Sequence, residues 1–90
     1  MYSDLLTGDL SDKRFYGVYR GLVVDSTDPK GLLRIKLRVP QILGSAVTSW
    51  AWGVHPSVTG NIFIPPPGTG VFVMFEGGDP NFPLWLGVMK

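Results

Sequence analysis

The chain has 90 residues, of which 44% are hydrophobic and 17% charged, and its formal net charge is +1 at pH 7. This length suits one small domain, the hydrophobic content excludes an intrinsically disordered chain, and the near-zero charge counts against strong nucleic-acid binding. Without cysteine the chain has no disulfides, and without an apolar run of roughly 20 residues no stable membrane insertion is expected.

Residues 1–14 differ in composition from the rest of the chain, with three Asp, one Lys and one Arg among few apolar residues. Leu6 and Leu10 are four positions apart, which permits a helical turn, but Gly8 lies between them. We therefore expect an irregular N-terminal arm over residues 1–14, either loose or docked on a neighbour, and one domain over residues 15–90.

Residues 15–25 are rich in aromatic and β-branched side chains and predict the first strand. Gly17 and Gly21 share one face of it, where glycine is typical of a bulge or of a close approach by another backbone. Residues 26–31 then predict a turn, in which Asp28-Pro29 starts the reversal and Gly31 supplies a positive φ.

The second strand, residues 33–39, has the clearest pattern in the chain. Its apolar side chains alternate strictly with basic ones, so that one face is apolar and the other is purely basic. The apolar residues are Leu33, Ile35, Leu37 and Val39, and the basic ones are Arg34, Lys36 and Arg38. The two strands predict a hairpin, which ends at Pro40 because proline cannot donate to a strand ladder.

Three further strands are predicted: residues 50–54 with both indoles on one side, the nearly all-apolar residues 71–75 at the centre of the sheet, and residues 84–89. Between them the sequence predicts a loop over 41–49, a brief extended piece at 61–64, a polyproline segment with a turn at 65–68, and a turn over 76–80. Twelve Gly and eight Pro oppose long helices. The predicted fold is all-β, a small five-stranded Greek-key barrel of the OB type, with an SH3-like barrel as the alternative.

No pattern in the sequence indicates catalysis, a cofactor or a metal site. His55 is the only histidine, and no cysteine accompanies it, whereas a zinc site needs three or four ligands. The carboxylates of Asp25, Asp28, Glu76 and Asp79 fall in predicted turns, where they are expected to bind backbone groups. We predict that the chain is not an enzyme.

One binding function remains open. OB barrels bind single-stranded nucleic acids through strands 2 and 3, using basic residues and aromatic stacking. The basic face of Arg34, Lys36 and Arg38 suits this function, but it carries no aromatic residue of its own. Trp50 and Trp52 would supply stacking only if they point outward.

The order and spacing of several segments resemble a known family. Residues 19–25 (YRGLVVD), 28–31 (DPKG), 33–40 (LRIKLRVP), 64–71 (IPPPGTGV) and 73–87 (VMFEGGDPNFPLWLG) are similar to the OB domain of the phage baseplate spike. This is the group of baseplate assembly protein V and valine-glycine repeat protein G. The sequence departs from the family at Thr69-Gly70, where an acidic residue is common, and at Phe82, where a basic one is common.

The resemblance implies a structural part of a contractile injection machine, a homotrimer in the virion tail baseplate, made in the cytoplasm of a bacterial host and without catalysis. It implies as partners a baseplate hub protein and a β-helical spike or needle, in the same chain or a separate one. The chain also has more large aromatic residues than one small core needs, so some are expected to contact partners. The candidates are Trp50, Trp52, Phe63, Phe82 and Trp85.

Overall fold

The computed structural model describes residues 13–55 and 62–89, and within them the chain forms five strands and two very short helices. The strands are β1 (Tyr19–Asp25), β2 (Lys36–Arg38), β3 (Trp52–Gly53), β4 (Gly70–Phe75) and β5 (Pro83–Val88). Helix α1 spans Pro40–Leu43, and a 3-10 helix spans Glu76–Gly78. Neither helix is long enough to cross a membrane.

The strands form one sheet in the order β2-β1-β4-β5-β3. β3 runs parallel to β5, and the other neighbours are antiparallel. Ile35 and Ala51 connect the two edges of the sheet, since each donates its N–H to the other's carbonyl, at 3.1 and 2.6 Å. The strands therefore follow one another around the barrel as 1-2-3-5-4, which confirms the predicted all-β OB-type fold.

The core of the barrel consists of side chains that alternate inward along the strands, each at most 5% exposed. Its members are Val23, Ile35, Leu37, Val39, Ala51, Val71, Val73, Phe75 and Trp85. Strands β1, β2, β4 and β5 each contribute to this set. The two-residue β3 does not, but Ala51 directly precedes it. The barrel thus completes a core from its own residues.

The β1–β2 hairpin forms as predicted, with Leu22 opposite Arg38 and a register shift beyond Val23. Gly31 has a φ of +66° and donates to the carbonyl of Asp28 at 3.0 Å, which confirms the predicted turn. A Cβ at Gly21 would lie 3.2 Å from the backbone carbonyl oxygen of Arg38, and 2.8 Å from the Val73 side chain. The predicted close approach at this glycine is therefore confirmed.

The prediction for Leu33 is wrong: the alternation predicts a place on the apolar face of the second strand, but the Leu33 side chain is 46% exposed. Its φ is +62°, a left-handed conformation that takes it out of the extended chain. The strand proper is consequently limited to Lys36–Arg38, with Ile35 in the bridge to Ala51.

Other boundaries also differ from the predictions. The third strand, predicted over 50–54, is limited to Trp52–Gly53, and the fourth and fifth strands each begin one residue earlier than predicted. The first strand begins at Tyr19, because Phe15 donates its backbone N–H to the carbonyl of Gly78 and so leaves the β1 ladder. The predicted loop at 41–49 includes part of α1, which starts at Pro40, a residue well suited to the first position of a helix. The predicted arm lies outside the described residues except for Lys13 and Arg14, and residue 61 of the extended piece also lies outside them.

Candidate functional site

A groove crosses the barrel surface next to the Ile35–Ala51 bridge and encloses about 310 Å³. Its lining comes from the segment before β2, from β3 and the residues before it, and from the turn between β4 and β5 with the first residue of β5. The lining residues are Arg34, Ser49, Trp50, Trp52, Glu76, Asn81, Phe82 and Pro83. In OB barrels this face, formed by strands 2 and 3 with the adjoining loops, is the usual place for a ligand. We call it the tryptophan groove.

An ion pair between Asp28 and Arg34 fixes one wall of the groove. The guanidinium donates to both carboxylate oxygens, from Nε at 2.6 Å and from Nη2 at 3.1 Å. The same carboxylate accepts the backbone N–H of Lys30 at 2.9 Å, so it holds the β1–β2 turn as well. These bonds, led by that from the Arg34 side chain, keep the pKa of the Asp28 carboxyl well below its ordinary value.

The lowered pKa of Asp28 predicts acid sensitivity of the fold. A carboxyl whose pKa is lower in the folded than in the unfolded chain stabilises the fold fully above its unfolded pKa, and this contribution is lost as the pH falls through the folded value. We expect the melting temperature of the native chain to fall more steeply than that of Asp28→Asn between about pH 5 and pH 2. Thermal denaturation followed by circular dichroism measures both.

Asp25→Asn is the control, since Asp25 accepts the backbone N–H of Thr27 in the same turn but forms no ion pair within the described residues. This variant should retain the acid dependence of the native chain. If the melting temperatures of the native chain and of Asp28→Asn fell equally steeply with decreasing pH, the assigned role of the ion pair would be contradicted.

The ion pair also positions the two indoles. The Arg34 guanidinium carbon lies 5.5 Å from the centre of the Trp52 ring and 5.9 Å from that of Trp50, and Lys36 Nζ lies 5.1 Å from Trp50. These are cation–π distances. Both tryptophans therefore lie on one side of the third strand, as predicted. They also point outward, which the sequence left open, and interleave with the basic residues of the second strand. Arg38 is exposed, but it does not line the groove.

The predicted aromatic contact residues occupy different environments. Trp52, Phe63 and Phe82 are 48%, 60% and 57% exposed, and Trp50 is half-buried. Phe63 is not part of the groove lining. Trp85 belongs to the core at 4% exposure, so it is not available at the surface of this barrel.

The turn that carries Phe82 is held by backbone hydrogen bonds, from Glu76 N–H to the carbonyl of Phe82 at 2.9 Å and from Phe82 N–H to that of Asp79 at 3.0 Å. Asp79 also accepts the N–H of Asn81 at 3.0 Å, which confirms its predicted turn role. The Ser49 hydroxyl donates to the carbonyl of Asn81 at 2.8 Å and connects this turn to the residues before β3. The groove is consequently built from well-anchored pieces.

Sequence reasoning did not assign Ser49, Glu76 or Asn81 to a site, because nothing in their local pattern shows that the turn after β4 lies beside β3. In the described part of the chain, no three His, Asp or Glu residues lie close enough together to hold a metal ion. His55 packs edge-on against Trp85, with ring centres 5.5 Å apart. Its neighbourhood is thus aromatic.

Comparison with known proteins identifies one family. The model for the type VI secretion system/phage-baseplate injector OB domain matches residues 19–89. That match runs from the first residue of β1 to the last residue described and includes the whole barrel. A search of curated proteins gave no match. The family match confirms the resemblance seen in the sequence.

Proposed function

Because the chain belongs to the type VI secretion system/phage-baseplate injector OB-domain family, we propose that it is a non-catalytic structural joint of a tail-baseplate spike. In this role it connects a hub protein to a β-helical needle that pierces the target envelope. Three copies surround the axis of the spike. The site of action is the virion tail baseplate.

The observation that carries this proposal is the exposure of large aromatic side chains on a barrel whose core is already complete. Trp52, Phe63 and Phe82 contribute nothing to the buried core, and each exposes about half or more of its surface to water. Aromatic anchors of this kind dominate the energetics of protein–protein interfaces when they enter a pocket on a partner. A structural joint requires such anchors.

A second candidate function, binding of single-stranded nucleic acid, is favoured by one observation: Trp50 and Trp52 interleave with Arg34 and Lys36, as base stacking beside phosphate contacts would require. The charges of the groove oppose it. Arg34 is already neutralised by Asp28, and the acidic residue Glu76 also lines the groove.

The two functions are distinguished by the solution mass and by an oligonucleotide titration. For a spike joint, light scattering over a concentration series should show a trimer of the 9.9 kDa chain. The titration with a 15-nucleotide oligodeoxythymidine should then show no salt-dependent binding. A monomer whose oligonucleotide affinity falls steeply with salt would favour the nucleic-acid function instead.

Substitution of one exposed aromatic residue tests which surface forms the contact between copies. Phe82→Asp should abolish the trimer and leave the circular dichroism spectrum unchanged, because Phe82 is exposed and the charge would be buried at the contact. Val47→Asp is the matched control, an exposed aliphatic residue on the loop paired with Arg38 and outside the groove. A trimer that survives Phe82→Asp but not Val47→Asp would place the contact at the other surface.

A further inference from the structure

We propose that the tryptophan groove of one copy receives the proline segment of the next copy, so that copies join head to tail. We call residues 63–67 (FIPPP) the proline ridge. This inference rests on the self-assembly in the proposed function and names the two surfaces that meet. Both belong to the same chain, and neither is occupied by another part of the chain that the structure describes.

The proline ridge is a rigid projection. Pro65 is fully buried and Ile64 packs against the core, which fixes the base of the segment. Two hydrogen bonds fix its end, from Gly68 N–H to the carbonyl of Val23 at 2.8 Å and from Thr69 N–H to that of Pro66 at 3.2 Å. Phe63, Pro66 and Pro67 remain exposed on this support. Little conformational entropy is therefore left to lose on binding.

The chemistry of the ridge matches that of the groove. Consecutive prolines favour the polyproline II conformation, whose recognition typically uses a groove lined with aromatic side chains. The indole N–H groups of Trp50 and Trp52 have no hydrogen-bond partner among the described residues, and neither do the carbonyls of Phe63 and Pro67. Indole donors and ridge carbonyls thus complement each other, while Phe63 adds an apolar anchor next to Phe82.

Charge also favours this occupant. No residue from 62 to 75 is charged, so the ridge brings no charge into a groove where Arg34 is already paired with Asp28. A nucleic acid would bring its negatively charged phosphates close to the carboxylate of Glu76, and the like charges would repel each other. An uncharged apolar segment is the better fit.

The positions of the two surfaces require two copies. The ridge is separated from the start of β4 by two residues, whereas Glu76, which lines the groove, directly follows β4. A strand of this length separates its ends by about 20 Å, at about 3.3 Å per residue. One barrel cannot place its own ridge in its own groove. Two different surfaces in contact form a heterologous interface, which closes into a ring at a suitable rotation, as a trimer requires.

A complementation experiment tests this arrangement. Trp52→Ala removes a groove wall and leaves the ridge intact; Phe63→Ala removes the ridge anchor and leaves the groove intact. Each variant alone should be monomeric, with self-association at least tenfold weaker than native in sedimentation velocity. An equimolar mixture should form a heterodimer of twice the chain mass and nothing larger, because only one intact ridge and one intact groove can meet.

Phe72→Ala is the control, since Phe72 is an exposed aromatic residue on β4 outside both surfaces, and this variant should assemble as the native chain does. Phe82→Ala and Pro67→Ser replace the groove or ridge variant if circular dichroism shows loss of fold. A trimeric native chain whose groove and ridge variants also form trimers would overturn the ridge-in-groove contact and leave the threefold joint standing. Two monomeric variants whose mixture stays monomeric would overturn the head-to-tail arrangement. A native chain that is monomeric at every concentration would overturn both proposals.

Discussion

Replacing Ile35 with alanine is expected to lower the free energy of unfolding by about 2–5 kcal/mol, the range for truncating a large aliphatic side chain in a packed core. Ile35 is fully buried, and its backbone closes the barrel through the bridge to Ala51. The cavity would therefore lie where the two edges of the sheet meet. Urea denaturation followed by tryptophan fluorescence measures the loss.

Leu33→Ala is the matched control for this experiment. Leu33 is an aliphatic residue of the same sequence alternation, two positions earlier, but its side chain is 46% exposed. A positive φ at this position costs alanine and leucine a similar amount of free energy. The substitution should therefore change the free energy of unfolding by no more than about 0.5 kcal/mol. Equal losses in the two variants would show that Leu33 belongs to the core after all.

The contrast between these residues also shows what the sequence can and cannot predict about the fold. Strict alternation placed Ile35, Leu37 and Val39 inside the barrel, because side-chain direction along a strand is a local property. The same alternation misplaced Leu33, whose backbone is left-handed shortly after the turn. Alternation is informative only as far as the chain stays extended.

The groove was only partly predictable for a different reason. The basic stripe and the paired indoles follow from local patterns, but their meeting depends on the pairing of Ile35 with Ala51, 16 positions along the chain. Trp85 shows the same limit, since its neighbours on both sides are apolar and provide no polar contrast to identify its buried face. Contacts between distant strands had to come from the structure.

The turn after β4 gives the second large expected effect, because a glycine there supports the segment before β1. Gly78 is buried with a φ of +76°, and its carbonyl accepts the backbone N–H of Phe15 at 2.8 Å. A Cβ at this position would lie 3.1 Å from that same nitrogen and 2.7 Å from the Tyr16 ring. The exposed Tyr16 can turn away, but the nitrogen of Phe15 would have to shift by a few tenths of an ångström, which strains its hydrogen bond to Gly78.

Gly78→Ala should consequently lower the free energy of unfolding by about 2–5 kcal/mol, the sum of left-handed backbone strain and overpacking. Gly77→Ala is the control, because Gly77 has a φ of +57° but nothing lies within 4 Å of its added Cβ. It should lose only the backbone contribution of about 1–2 kcal/mol. Since Phe15 packs against Phe75 of the core, with ring centres 6.4 Å apart, the larger loss should be accompanied by faster amide exchange at Phe15 in Gly78→Ala alone. Equal losses for the two glycines would mean that the segment before β1 does not depend on this contact for its position.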